Sequence, residues 1–438
     1  MGRPSALMYA HPLTYIRAEL GMTLKDLVVW LGAEIGMAAR PEKAWRWENR
    51  GVVPESEVQH VLARRLGVPA GRLLTHPWPD WLPCGDRAPV ETEWTLAGCF
   101  RVLEQAVEIN ALDRRGFLTL SAGSAARLAG SWASTQLPVQ LPLLEAGDHA
   151  ASFEARLPFL RTLEDRKGGA AVALLDSEMR TAVNALKLVD ASSMRRVLAV
   201  IAELGRIAGW ACVDLGAHAA AETRFIAGLR AAHAIGDDSS GANLLKCLSL
   251  LLVEHGRGRE AAEIAHIASV RSAASPPRVQ AMLAVREARV MASLGESRVC
   301  EQLLYKAEGM MAHADDGEVP GWAEYFDAAE FQAQVGACYL ALRDYQACDV
   351  YLERALDAQP ADRARDAVTY TMWRAEAAVR LGHVDRACSL VKRVLPGLSP
   401  SRSSRNGAHL AEVCRLLRPH RLTSCVRELD DQVRALVA

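Results

Sequence analysis

The chain has 438 residues, more than one ordinary hydrophobic core organises, so two or more domains or a repeat array are expected. With 50% hydrophobic residues, 24% charged residues and a formal net charge of −1, it is neither a disordered segment nor a whole-chain polyelectrolyte, and any surface for nucleic acid must be local. No uninterrupted apolar run reaches about 18 residues, which excludes an ordinary membrane helix. The opening MGRPSALMYAHPL lacks a basic-then-apolar signal, so a cytoplasmic protein with no membrane partner is expected.

Ala and Leu dominate while aromatics are few, which favours helices and predicts an all-α fold. Residues 13–20 (LTYIRAEL) predict a short first helix that Gly21 ends. Thr23 then stands as N-cap of LKDLVVWLGAEIG, because its hydroxyl can satisfy a free backbone N–H. Residues 32–40 or so read as a long turn. PEKAWRWENR (41–50) follows as a third helix, with Pro41 at a permitted first-turn position and Gly51 closing it. After Pro54, ESEVQHVLARRLGV puts Val58, Leu62 and Leu66 on one helical face.

The order of these features resembles the Cro/repressor-like (XRE-type) helix-turn-helix family. Its carriers are Thr23, Leu24, Leu27 and Leu31, then Arg46-Trp47-Glu48 and Gly51, then Leu62-Ala63 and Leu66-Gly67-Val68. The resemblance implies that the third helix lies in the major groove of double-stranded DNA. Glu42, Lys43, Trp45, Arg46 and Arg50 would then face outward and Trp47 inward. Arg46 is the expected base reader, since a guanidinium can donate two hydrogen bonds to guanine. Arg40, Lys43 and Arg50 would neutralise phosphates, and Thr23 and Lys25 would set the second helix on the DNA backbone. Seven basic residues stand against four acidic ones between Arg40 and Arg72, a modest excess for a DNA-binding unit. The long turn departs from the family's tight one.

Residues 76–93 (HPWPDWLPCGDRAPVETE) hold four prolines and argue against a helix. Trp78 and Trp81 would pin this strap to a neighbouring surface, a ligand role being the alternative. Helices resume near Leu96 and run in pieces to about Trp132, after which LPVQLPLL interrupts them. The expected division is 1–75, 76–149 and 150–438. DRRGFLTLSAGSA (113–125) imitates a twin-arginine export signal, but it lies deep in the chain and Arg127 interrupts its apolar run, so a helix with Asp113 near its start is expected.

Beyond residue 200 the chain repeats itself around turn points at Gly216, Gly256, Gly295, Arg343 and Gly382. Seven residues before each stand Gly209, Ser249, Ala288, Gly336 and Ala375. Five after stand Ala221, Ala261, Cys300, Cys348 and Ala387, all small. Nine after stand Phe225, Ala265, Leu304, Leu352 and Val391, and twelve after stand Gly228, Ala268, Ala307, Ala355 and Val394. Two antiparallel helices approach closely only where facing side chains are small, with a larger apolar residue filling the space one turn away. The segments Tyr339-Leu340-Ala341-Leu342, Tyr345-Gln346-Ala347-Cys348 and Leu352-Glu353-Arg354-Ala355-Leu356 make the clearest copy. They resemble the tetratricopeptide repeat, though the period here is longer and the aromatics expected on the first helix are mostly absent. This implies a C-terminal α-solenoid over roughly residues 195–400 with flanking capping helices, and a concave surface for a peptide, protein or small-molecule effector. Arg286, Tyr370, Arg374 and Arg380 are candidate lining residues. Trp322, Tyr325 and Phe326 would either form an aromatic ligand wall or, as the more usual outcome, pack a loop onto the next repeat.

The ten cysteines form no CxxC pair, so they read as small buried hydrophobes of a reducing compartment. HADDGE (313–318) reads as a solvated loop rather than a cation site. No catalytic motif is present, so no enzyme, metal or cofactor is expected. The whole arrangement resembles actinobacterial regulators, some of which influence differentiation and antibiotic production. DRRGFL and the final CRLLRPHRLTSCVRELDDQVRAL add to that resemblance, which implies a homodimer presenting two recognition helices to DNA half-sites. The alternative expectation is a protein-interaction adaptor whose helix-turn-helix no longer reads DNA.

Overall fold

The computed structural model describes residues 11–19, 22–66, 73, 78–79, 81–82, 92–108, 124–135, 149–360, 363–398 and 403–437. Among them there is no β-strand, and the fold is all-α. No described helix is long and apolar enough to cross a membrane. The DRRGFL and LPVQLPLL segments lie outside the described residues.

The first unit has four helices: α1 (Pro12–Glu19), α2 (Leu24–Ile35), α3 (Pro41–Asn49) and α4 (Ser56–Arg65). Thr23 caps α2 as the sequence predicts, and Asp26 completes a capping box by accepting from the Thr23 backbone N–H at 2.8 Å. Gly36 ends α2 in the left-handed conformation, φ 69°. The turn into α3 is therefore Gly36–Arg40, shorter than the span 32–40 expected from sequence, because Gly32 to Ile35 continue the helix. The core is built from Leu27, Val28, Leu31, Ala44, Trp47, Val58 and Leu62, and it draws in Trp81 and Leu82 from beyond residue 75. Trp81 donates its indole N–H to Gln59 at 2.9 Å, so this tryptophan of the strap is a packing residue.

The second body begins before residue 150. Helices α5 (Leu96–Glu108) and α6 (Ser124–Ser134) share one apolar core with everything that follows up to Cys338, through Trp94, Leu103, Leu128 and Trp132. After α7 (His149–Glu154), α8 (Leu157–Lys167) and α9 (Val172–Ala185) come six helix pairs. They are α10 (Ala191–Asp214) with α11 (His218–Ala234), α12 (Asp238–Glu254) with α13 (Gly258–Arg271), and α14 (Pro277–Ser293) with α15 (Ser297–Met311). Then follow α16 (Ala328–Leu342) with α17 (Tyr345–Ala358), α18 (Ala364–Arg380) with α19 (Val384–Val394), and α20 (Ser404–Leu417) with α21 (Ser424–Val437). Within the first five pairs the two helices pack on each other, each first helix packs on the first helix of the next pair, and α21 packs on α19.

The repeat columns explain this packing. Gly216, Gly256, Gly295, Arg343 and Gly382 all have positive φ, between 65° and 82°, and reverse the chain within the first five pairs. Arg343 alone does so without glycine's freedom. The five small residues after these turns, Ala221 to Ala387, are fully buried. A Cβ on Gly209 would stand 2.2 Å from the Phe225 ring, and one on Gly336 would stand 2.7 Å from Leu352 Cγ. The small column of each first helix thus receives the large column of its partner.

The described cysteines are all free, and most are buried. Burial pushes the Cys212 and Cys348 thiols up to about 12, which keeps them protonated and unreactive.

Candidate functional site

Two regions place chemistry at a surface. The first is α3. Its inner face carries Ala44, Trp47 and Glu48, all buried. Glu48 is buried because Arg17 of α1 meets it with two nitrogens, at 2.9 and 3.2 Å, while a third donates to the Met22 carbonyl at 2.9 Å. This tie locks α3 onto α1, and it joins residues 31 positions apart that no sequence pattern pairs. The outer face carries Glu42, Trp45, Arg46, Asn49 and Arg50, all exposed, with Lys43 half-buried and Arg40 exposed at the N-cap. The division between inner and outer residues follows the sequence expectation.

The outer residues differ in how free they are. The Arg46 side chain makes no ion pair or hydrogen bond among the described residues. Arg50 lies over the Trp45 ring, 5.5 Å from its centroid. Lys43 is 3.7 Å from Glu55, an exposed pair that phosphate can displace at little cost. The Thr23 hydroxyl is committed to Asp26 at 2.7 Å, and hydrogen bonds from Thr23 hold the Asp26 carboxyl below its ordinary pKa. A carboxylate thus stands beside the α2 N-terminus, and Lys25, exposed, is the better placed of the two for a phosphate. Asn49, missed from sequence, is exposed on the same face and currently donates to the Trp45 carbonyl at 2.9 Å.

The second region is an open cavity of about 610 Å³ lined by the first helices of the pairs, by α8 and by the turn around Gly321–Ala323. Arg286, Trp322, Tyr325 and Tyr370, which the sequence offered separately, line it together. Arg374 does not. It faces α17, donating to Asp349 and Glu353 at 2.8 Å each, so it is a tie between neighbouring pairs. Arg380 is likewise outside, 3.7 Å from both Glu376 and Glu412. Sequence reasoning could not orient these two because the choice depends on the curvature of the stack.

The cavity exists because the array closes on itself. Arg365 on α18 reaches Glu164 on α8 at 2.8 Å and Asp214 at the end of α10. Ser403, the N-cap of α20, donates to Asp214 at 3.4 Å. Arg161 on α8 pairs with Glu203 on α10. Helix α8, outside the sequence repeats, thereby seals one side.

Inside, charge and aromatic surface alternate. Lys246, fully buried beneath the wall, donates to the Tyr325 hydroxyl at 2.7 Å, and burial pushes its amine down to about 8. Glu330 accepts from the Tyr370 hydroxyl and from Gln334 at 2.6 Å. Burial, reinforced by Glu330, raises the Asp366 carboxyl to about 7. Burial, with nearby Arg405 and Arg289, lowers His409 to about 4 and leaves it neutral. Loop 313–318 is different in kind: Asp315 pairs with Arg278, His313 lies 3.0 Å from Asp316, and no cluster of three potential metal ligands exists among the described residues. No protein-family model matches the chain, and no curated protein matches it.

Proposed function

We propose that the chain is a DNA-binding transcription regulator. In this reading α1–α4 are a helix-turn-helix unit of the Cro/repressor-like kind, α3 is the recognition helix, and α10–α21 are a tetratricopeptide-like solenoid whose cavity receives an effector. Two copies, joined as a homodimer in the cytoplasm, present two α3 helices to half-sites about one helical turn apart. Effector binding then favours one of two arrangements of the dimer and changes operator affinity. The observation that carries the reading is the sorting of α3. Its apolar residues and Glu48 are buried, while Arg40, Lys43, Trp45, Arg46 and Arg50 remain on the open side.

The test is selection of genomic DNA fragments by the full chain near physiological salt, with Arg46→Ala beside it. The parent enriches a shared sequence and the variant loses it, at a cost of about 1–3 kcal/mol at the base read. Equal, salt-abolished binding by both proteins sinks the proposal.

The second reading is an adaptor without enzymatic activity, in which the helix-turn-helix no longer reads DNA. Two observations favour it. The turn Gly36–Arg40 has one residue more than the usual three or four. The Thr23 hydroxyl is held by a carboxylate rather than left for a phosphate.

A further inference from the structure

We propose that the cavity lined by Arg286 and Trp322 is a receptor for a small organic anion, a carboxylate or phosphate on a flat ring, with Arg286 as its anchor. The inference rests on the reading of the helical array as the sensory part of the protein. It begins with an imbalance among the arginines of the wall. Arg161, Arg363 and Arg365 each have a close carboxylate, on Glu203, Asp327 and Glu164 respectively. Arg286 has none. It is 8% exposed, it lines the cavity, and its Nε and Nη1 have no hydrogen-bond partner. A guanidinium taken out of water without an anion is costly, so a buried cation left in this state points to a ligand that supplies the counter-charge.

Its neighbours deepen the deficit. Arg206, also 8% exposed, comes only within 4.0 Å of Glu203, which Arg161 already engages, and its Nε is unpartnered. Arg289 has Gln334 at 2.7 Å and no carboxylate partner, and burial together with Arg286 lowers it to about 10. Arg405 stands 4.0 Å from Asp214, which Arg365 holds more closely, and its Nε is unpartnered. Glu330 accepts only from the neutral Tyr370 and Gln334 and so partly offsets Arg289, Asp366 keeps its proton up to about pH 7, and among the described residues no carboxylate lies within ion-pair distance of Arg286.

The rest of the wall specifies the body of the ligand. Trp210, Trp322 and Trp373 line the same space, with Arg405 5.8 Å from the Trp210 ring centroid and Arg289 5.4 Å from that of Trp373. A flat ring stacks on such surfaces, and a guanidinium beside each ring is placed for an acidic substituent. A volume of about 610 Å³ lies within the range of small-molecule sites.

The experiment is titration of the full chain, without DNA, by thermal shift and tryptophan fluorescence. The probes are inorganic phosphate, adenosine monophosphate and indole-3-carboxylate, with adenosine and indole-3-carboxamide as uncharged counterparts. Phosphate should raise the melting temperature weakly, and at least one ring-bearing anion should do so saturably and more tightly. Its uncharged counterpart, and the anion with Arg286→Met, should each bind about tenfold more weakly or worse. Arg289→Gln is the second variant should Arg286→Met fail to fold. Which anion wins separates a phosphate ligand from a carboxylate one. No response to any anion, equal binding of charged and uncharged forms, or unchanged binding by both variants overturns the inference. Because DNA is absent, those results leave the fragment selection with Arg46→Ala to judge the regulator reading separately.

Discussion

Arg365 and Glu164 meet at 2.8 Å although 201 residues separate them, and the same guanidinium also holds Asp214. This one side chain fastens α8 and the end of α10 to α18, so the cavity depends on it. Replacing it takes from Glu164 its close cation and leaves Asp214 with the more distant Arg405. Arg365→Met should cost about 3–5 kcal/mol, the usual penalty for breaking a buried pair from one side. Adding Asp214→Asn should return part of that loss, since the two positions are coupled. Chemical denaturation of the parent, the two single variants and the double variant checks both statements, and strictly additive losses would rule out the clasp.

A similar tie operates in the first unit. Arg17→Met strands Glu48, whose side chain is only 3% exposed, and should cost about 3 kcal/mol. The combined Arg17→Met, Glu48→Leu chain should be more stable than Arg17→Met alone, because no charge is then left buried. Amide exchange followed by mass spectrometry locates the effect: faster across residues 24–65, unchanged across 200–340. Uniform acceleration over the whole chain would contradict it.

What was legible in the sequence was local. Positive-φ turns at Gly216, Gly256, Gly295, Arg343 and Gly382, and the small residues five positions later, repeat with the chain and so appear in it directly. The inner and outer faces of α3 are those that the helix-turn-helix resemblance implied. The sequence did not disclose partner choice over long separations. Arg374 turns to Asp349 and Glu353 instead of the cavity, and α5 and α6 join the core of the repeats instead of a separate connector. Of the seven residues offered for an effector surface, Arg286, Trp322, Tyr325 and Tyr370 line the cavity, while Arg374, Arg380 and Phe326 do not. Arg206, Arg289, Arg365 and Arg405 were missed because only the closure of the array brings them together.

The cavity makes stability depend on pH in a defined direction. Burial and then Glu330 raise the Asp366 carboxyl from 3.8 to about 7. Between those values the folded chain keeps a proton that the unfolded chain has released. This group's contribution therefore falls as pH rises through the window, and the cost of its ionised form is complete above pH 7. Asp366→Asn should match the parent near the lower limit and exceed it by a few kcal/mol above the upper one. Melting temperatures of both proteins across the range decide the matter, and parallel curves would refute it.

Two helical glycines should respond oppositely to the same substitution. Gly309 lies near the end of α15 with nothing within 4 Å of an added Cβ, so Gly309→Ala should stabilise by about 0.5–1 kcal/mol through the lower entropy of the unfolded chain. Gly209 lies within α10, where the added Cβ would meet the Phe225 ring at 2.2 Å. Phe225 is fully buried and has no free space to retreat into, so Gly209→Ala should destabilise by about 1–3 kcal/mol. Phe225→Leu in that background should recover part of the loss, because the smaller side chain vacates the position of the ring edge. Denaturation midpoints of the four chains test the argument. If Gly209→Ala stabilised as Gly309→Ala does, helix propensity rather than the meeting of small and large columns would govern the pairing of α10 with α11.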